Sequence, residues 1–476
     1  MNNLENKKVV VIGGGIAGIT AAYYLQKEAR EKKFPIETLL IESSNRLGGK
    51  IETYTENGYV IEKGPDSFLA RKTSASRLAE EAGLKDQLVN NGTGKSYILI
   101  KDKLHSMPGG AIMGIPTKIA PFALSGMFSP IGKLRAGGDF ILPPSNKKGD
   151  QSLGRFFRRR FGNEVVDHLI EPLLSGIYAG DIDQMSLLAT FPQFYEVEQK
   201  YRSLILGMKK ATPKRKPSAT KEQTGKKSGG MFLSLKTGLE SLVQAIEAKL
   251  TPGSVQKGLA VENVERIENQ YVLKLSNGEQ ITADSVIVSV PHKQTARIFS
   301  NYSFFTPFNS VPSTSVANVA LAFPESAVKN DIDGTGFIIS RDSGYSMTAV
   351  TWTHKKWLHS APKGKALLRC YVGRPGDEEI VSRSDDEIIQ TVLKELNKTM
   401  DIVSEPELAV ITRWHDSMPQ YTVGHKERMK EITEKMLTEL PGVFLAGASY
   451  EGLGVPDCID QGEAAVKSVL EYINEK

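Results

Sequence analysis

Cysteine is nearly absent: Cys370 and Cys458 are the two in 476 residues, which argues against a disulfide framework and against a cysteine-based zinc site. That scarcity fits a reducing compartment, and the cytoplasm is the expected location. The histidines are few and badly spaced for metal, with His354 and His359 five apart and His415 and His425 ten apart, so no metal site is expected. No Ser/His/Asp or Cys/His arrangement suggests a protein nucleophile. No run reaches ~18 consecutive apolar residues, so no membrane span is expected, and no apolar signal stretch precedes the first strand. An excess of one charge is lacking too. Sixty Lys and Arg against 55 Asp and Glu leave +5, too little over this length to argue for nucleic acid. The remaining composition, 40% hydrophobic and 24% charged, is that of an ordinary globular chain, and the length implies about two or three domains.

What is present is concentrated at the start. Val9, Val10, Val11 and Ile12 form an apolar β-branched run ending at glycine, which predicts a buried parallel strand. Gly13, Gly15 and Gly18 follow in the G-x-G-x-x-G spacing. The first permits the tight turn, the second lets backbone approach a pyrophosphate, and the third lets the next helix pack on the sheet. A helix over residues 16–32 then directs its first amides at the phosphates, so Gly13, Gly14, Gly15, Ile16, Ala17 and Gly18 form the candidate cradle. A second strand over 38–41 ends at Glu42, placed with Ser43 beside it to accept from a ribose hydroxyl pair. The segment Asn45-Arg46-Leu47-Gly48-Gly49-Lys50 shifts the reading from NAD to FAD. Its glycine pair leaves room for a cofactor along the backbone, Gly49 and Lys50 border it, and Arg46 can pair with phosphate oxygens. An acid followed by R-x-G-G resembles the flavin amine oxidase superfamily.

Farther along, residues 51–62 predict a hairpin around Asn57-Gly58, and a helix over 73–82 closes at Gly83. Residues 95–107 read as two short strands with a Lys101-Asp102 turn. The Gly-, Pro- and Met-rich stretch 108–144 reads as a helical lobe lining an apolar cavity. Membrane contact there is the lesser reading, since no helix shows a sustained polar face. Residues 209–230 hold eight Lys or Arg and one Glu, a solvated basic loop without the aromatics of a nucleic-acid surface. A helix is expected over 231–250, strands over 258–268, 271–275 and 285–290, then strands over 313–323, 336–340, 347–353 and 366–372. A helix over 385–397, a strand over 440–446 and a final helix to about 472 complete the chain. The fold class is α/β. A Rossmann-like FAD-binding domain of glutathione-reductase type takes 1–72, 231–298 and 435–476. A mixed-sheet substrate domain is inserted at 73–107 and 299–434, with the helical lobe at 108–208 and the basic loop at 209–230.

Several stretches together, VVVIGGGIAGITAAYYL, GPDSFLARK, SLGRFFRRRFG, EPLLSGIYAGDI, Phe191-Pro192 and LAGASYEGLGVPDCIDQG, resemble the oxygen-dependent porphyrinogen oxidases of haem synthesis. The likeness is nearest to the soluble Gram-positive branch that acts on coproporphyrinogen III. It implies non-covalently bound FAD, a porphyrinogen substrate, and dioxygen reduced to hydrogen peroxide. By the same likeness Gly64, Pro65, Asp66 and Ser67 return to the isoalloxazine ring. Val261, Trp414, Gly447, Gly454, Val455 and Pro456 add cofactor contacts. Arg71, Lys72 and Lys95, with Lys118 and Arg135 nearby, are the cations expected around substrate carboxylates. Two positions depart from the membrane-bound branch: Lys95-Ser96 stand before Tyr97 where an Arg is common there, and Asp66 follows Gly-Pro. No single strong acid or base is implied. Protoporphyrinogen IX oxidation, an amine oxidase and a non-catalytic flavoprotein scaffold remain open, with at most peripheral membrane contact, and the oligomeric state is not encoded in any motif.

Overall fold

The strand Lys7–Ile12 lies at the centre of a five-stranded parallel sheet, in the order Val255–Lys257, Ile36–Glu42, Lys7–Ile12, Ser285–Val288, Val443–Leu445. The computed structural model describes residues 6–92, 94–146, 149–211 and 230–475, so most of the basic loop at 209–230 lies outside the described residues. Val9 and Val11 pack into a core with the helices Ile16–Lys32 and Val455–Glu475, and Val10 and Ile12 into another core on the opposite face. Burial on both faces is why the strand reads as an unbroken apolar run. The second face is covered by an antiparallel meander of Val261–Ile267, Gln270–Leu275 and Gln280–Ala283.

A seven-stranded mixed sheet forms the second unit. Its order is Leu408–Pro419, Ser313–Pro324, Lys365–Val372, Met347–Trp352, Gly336–Ile339, Tyr97–Ile100, Lys103–Ser106. One face buries the helix Asp385–Leu396, whose start is fixed by a capping box between Ser384 and Glu387. Ile98 and Ile100, on the other face, join the core of the helical lobe.

One expectation is corrected. Residues 231–250 are not one helix: Phe232–Leu235 is a strand between Phe68–Leu69 and Leu88–Asn90, and the helix is only Glu240–Glu247. Gly238 at φ +88° separates them, a conformation that interrupts a helix. Packing also runs across the expected domain edges. Ala75, Leu78 and Ala79 lie in the core of the nucleotide sheet, and Phe305, Phe308, Ile432 and Met436 cover its other face. Part of the lobe's apolar surface faces outward. Leu124, Ile131 and Leu134 are 86%, 80% and 79% exposed, whereas Phe122, Met127, Phe128 and Ala136 are buried. Its helices Ile119–Leu124 and Pro130–Gly137 are so short that only one side of each turns inward. Among the described residues no helix is long and apolar enough to cross a membrane.

Candidate functional site

The site begins where the first two strands end. Gly13 takes φ +99° and donates to the Ile41 carbonyl at 2.8 Å, which turns the chain sharply into the helix. Gly15 caps that helix without a side-chain hydrogen bond, and a Cβ on Gly15 would meet no atom within 4 Å. Gly15 also bridges to Gly48, and a Cβ on Gly49 would stand 3.2 Å from the Gly15 Cα. Two glycine bends thus lie backbone to backbone beside open space at a helix N-terminus, an arrangement that fits a pyrophosphate. The Ile16 and Ala17 side chains are buried in the core, leaving their amides for the cradle.

The Glu42 carboxylate is held by the Gly14 amide at 2.6 Å and the Ser44 amide at 2.8 Å. Both bonds come from backbone, so the oxygens retain lone pairs for ribose hydroxyls. Ser43 is exposed next to it, its hydroxyl 3.3 Å from Glu42 Oε1. Leu259 donates to the Glu42 carbonyl at 3.0 Å, which sets the start of the meander beside the acid. Val261 follows with its side chain buried, so only its backbone can face a ligand.

The Arg46 guanidinium binds the carbonyls of Leu47, Gly49 and Ile51 and pairs with Glu52 at 2.9 Å, so it braces the glycine bend. The cation that suits an anion is Lys50. Burial lowers its pKa, among the described residues it has no carboxylate partner, and its ammonium donates to the Ser417 carbonyl. A desolvated ammonium without a counter-charge is costly unless a ligand supplies one. With the open glycine cradle, this is the observation that the residues fit FAD.

Residues 64–67 sit against this bend: a Cβ on Gly64 would be 1.8 Å from the Lys50 carbonyl oxygen. The Asp66 side chain is committed elsewhere, to Lys356 at 2.7 Å, Trp357 at 3.2 Å and Arg369 at 3.5 Å. Burial by itself would raise its pKa, but Lys356 and Arg369 hold it well below the usual carboxylate range. Asp66 therefore anchors the turn, and the turn's backbone is what remains for a cofactor. Ser67 donates to Asp66 at 2.6 Å, and Pro65 leads into this anchored turn.

Glu62, just before the turn, is pushed up to about 7 by burial, although Leu239 and Thr53 donate to it. Between its ordinary value of 4.5 and 7 the folded chain keeps a proton that the unfolded chain releases. Its contribution to stability consequently falls as pH rises through that window and levels above it. Glu62→Gln cannot ionise, so its melting temperature relative to the parent protein should rise between about pH 5 and pH 8. Calorimetry giving the same difference at both pH values would refute the assignment.

At the far rim, Gly447 takes φ +130° and donates to Gln461 at 3.0 Å. Gly454 precedes the helix Val455–Glu475, and Val455 and Pro456 are buried at its first turn. Trp414 donates its indole N–H to the Lys63 carbonyl at 3.0 Å, next to Gly64. Lys72 pairs with Asp457 on that first helical turn, so the structure brings Lys72 to the site already neutralised. Arg71 is exposed beside it. Lys95 pairs with Asp333 at 2.7 Å, both side chains exposed. Arg135 binds the carbonyls of Arg158, Arg159 and Arg160 at a helix end, as cations favour. Lys118 is exposed.

Sequence reasoning missed Asn318, Lys356, Arg369 and Asp457, which come from separate elements. One signal existed: Arg369 stands alone inside the apolar strand Lys365–Val372 and is fully buried. Among the described residues, no group of three His, Cys, Asp or Glu side chains could hold a metal.

The family model for flavin containing amine oxidoreductases matches residues 16–470. The chain is 56% identical over 467 residues to coproporphyrinogen III oxidase of Bacillus subtilis (strain 168), covering 98% of each chain. It is 42% identical to coproporphyrinogen III oxidase of Staphylococcus aureus, over 98% of this chain and 99% of that one. A crystal structure from Exiguobacterium sp. 255-15 that carries the name protoporphyrinogen oxidase matches with a TM-score of 0.86 and 38% identity, covering 100% of both chains.

Proposed function

This chain belongs to the flavin-containing amine oxidoreductase family, and from that premise we propose that it is an FAD-dependent oxidase converting coproporphyrinogen III to coproporphyrin III. The observation that carries this is the 56% identity across nearly the whole chain to an enzyme of that name. FAD, when bound, would supply the electron acceptor for a six-electron oxidation with three dioxygen molecules reduced to hydrogen peroxide. The glycine bends at 13–18 and 48–49 would hold the pyrophosphate, Glu42 the ribose, and Lys50 a phosphate charge. Residues 64–67 and the first turn of Val455–Glu475 would border the ring. Over three oxidations three hydrides would leave meso carbons and three protons would be lost, two from pyrrole nitrogens and one from the remaining meso carbon by tautomerisation, so the chain's task is to orient a flat macrocycle and exclude water rather than to supply a strong base.

The substrate lies between the flavin and the mixed sheet, with the helix Glu171–Tyr178 on the lobe side. Ile177 is 54% exposed on that helix, an apolar contact suited to a macrocycle. Because Lys95 and Arg135 are engaged elsewhere, substrate preference rests on fewer cations than the sequence suggested. Protoporphyrinogen IX is the alternative, in line with the protoporphyrinogen oxidase names carried by the 38% identical structure and by more distant relatives at 27% and 28% identity.

The test is a side-by-side assay of both porphyrinogens by porphyrin fluorescence, with peroxide measured. Faster turnover of coproporphyrinogen III with three peroxides per porphyrin is expected; faster turnover of protoporphyrinogen IX would overturn the substrate assignment. The yellow colour should stay in the supernatant on acid precipitation, as for a non-covalent flavin.

A further inference from the structure

Residues 62–64 present three consecutive backbone carbonyls, and side chains from three adjacent strands of the mixed sheet bind all of them. Asn318 donates through Nδ2 to the Glu62 carbonyl at 2.8 Å and the Lys63 carbonyl at 3.3 Å. Trp414 donates to the same Lys63 carbonyl at 3.0 Å. Arg369 donates through Nη2 to the Gly64 carbonyl at 2.8 Å, and its Nε lies 3.4 Å from Asn318 Oδ1. Asn318 and Arg369 are 5% and 0% exposed.

Burial of a guanidinium needs compensation. Asp66 supplies part of it, 3.5 Å from Nη1, and is itself tied to Lys356. Arg369 is thus fixed on the carbonyl side by Gly64 and on the charge side by Asp66, the two residues that flank Pro65. The bound segment has no slack on its other side, because Gly64 lies directly on the Lys50 carbonyl and Lys63 donates to Glu52 at 2.8 Å. A contiguous path therefore runs from the glycine cradle through Lys50 and Gly64 to the mixed sheet.

We propose that Asn318 and Arg369, with Trp414 as a third donor, are positioning residues that lock residues 62–66 to the substrate sheet, fixing the flavin ring in register with the substrate face. The proposal rests on the reading that residues 64–67 meet the isoalloxazine. The ADP half of the cofactor is held by a separate set, the glycine cradle and Glu42, so loosening the lock should disturb the ring without releasing the cofactor. A displacement of even an ångström between reacting atoms can cost on the order of a hundredfold in rate.

The test uses purified holoenzyme of Arg369→Met, Arg369→Lys, Asn318→Leu and Trp414→Phe. The last keeps an aromatic ring and removes one N–H donor, so it remains informative if a core variant fails to fold. The readouts are flavin occupancy, visible circular dichroism of the bound flavin, and anaerobic flavin reduction by coproporphyrinogen III in stopped flow. Expected results are full occupancy, an altered flavin dichroism band, and a limiting reduction rate lowered at least tenfold in Arg369→Met and Asn318→Leu. The porphyrinogen concentration for half-maximal rate should stay the same, and Arg369→Lys should recover part of the rate. A lower melting temperature with parental dichroism and parental reduction rate would overturn the proposal, leaving a purely structural contact. Failure of coproporphyrinogen III to reduce the parent flavin would instead sink the substrate reading, and the dichroism would still decide the lock.

Discussion

Gly18→Ala should purify without flavin. A Cβ at Gly18 would stand 1.9 Å from the Gly13 carbonyl oxygen and 3.1 Å from its carbon. Both atoms are backbone, so no side-chain rotation can relieve the clash. The helix Ile16–Lys32 must lift from the turn, carrying the amides of the cradle with it. Each charge-assisted hydrogen bond to a phosphate contributes about 1.5–3 kcal/mol, so losing two weakens FAD by roughly a hundredfold or more. Absorbance at 450 nm per protein, and titration of the apoprotein with FAD, measure this directly. Gly15→Ala is the contrast, because its Cβ meets nothing in the protein and any loss there reports space that the ligand needs. Stoichiometric flavin in purified Gly18→Ala would show that the cofactor does not depend on this turn.

Arg160→Met should be the most destabilising single change in the lobe. Arg160, Asp139 and Glu198 are each fully buried. Arg160 Nε donates to Glu198 at 2.8 Å and Nη1 lies 3.4 Å from Asp139. Nη2 is shared between Glu198 and the Pro143 carbonyl, and Nη1 also reaches the Leu142 carbonyl. Removing the guanidinium leaves two carboxylates in the core without it, at a cost of about 3–5 kcal/mol. For a unit of this size that is on the order of a 10 °C drop in melting temperature. Arg160→Met combined with Glu198→Met should lose less than Arg160→Met alone, since one charge of each sign goes. Asp139 would still accept from Ser203, Leu204 and Ile205 at the start of the helix Leu204–Ala211. A single variant that melts with the parent would mean that the cluster contributes no net stability.

The fold of the nucleotide-binding segment was legible because its parts are consecutive. Strand, glycines, helix, strand and acid occur within residues 7–42, and the expected helix over 16–32 coincides with Ile16–Lys32. The helix at Asp385–Leu396 was legible for the same reason, its capping box lying three residues apart. Phe232–Leu235 was not, because its strand character comes from partners at Phe68–Leu69 and Leu88–Asn90 that are more than 140 residues away. Still longer separations hid the pairing of Asp66 with Lys356 and of Lys72 with Asp457, and so made Lys72 look available for a ligand.

Local backbone chemistry alone settled that this chain binds a dinucleotide. A tight turn, a close approach and a helix N-terminus are demands on neighbouring residues, and glycine at fixed spacing is the answer they require. Which charges are free, which are spent on one another, and which side chains lock the turn at 62–66 were decided only in the folded chain. An ion pair or a buried guanidinium exists through partners brought together from distant strands, and no local spacing encodes their meeting.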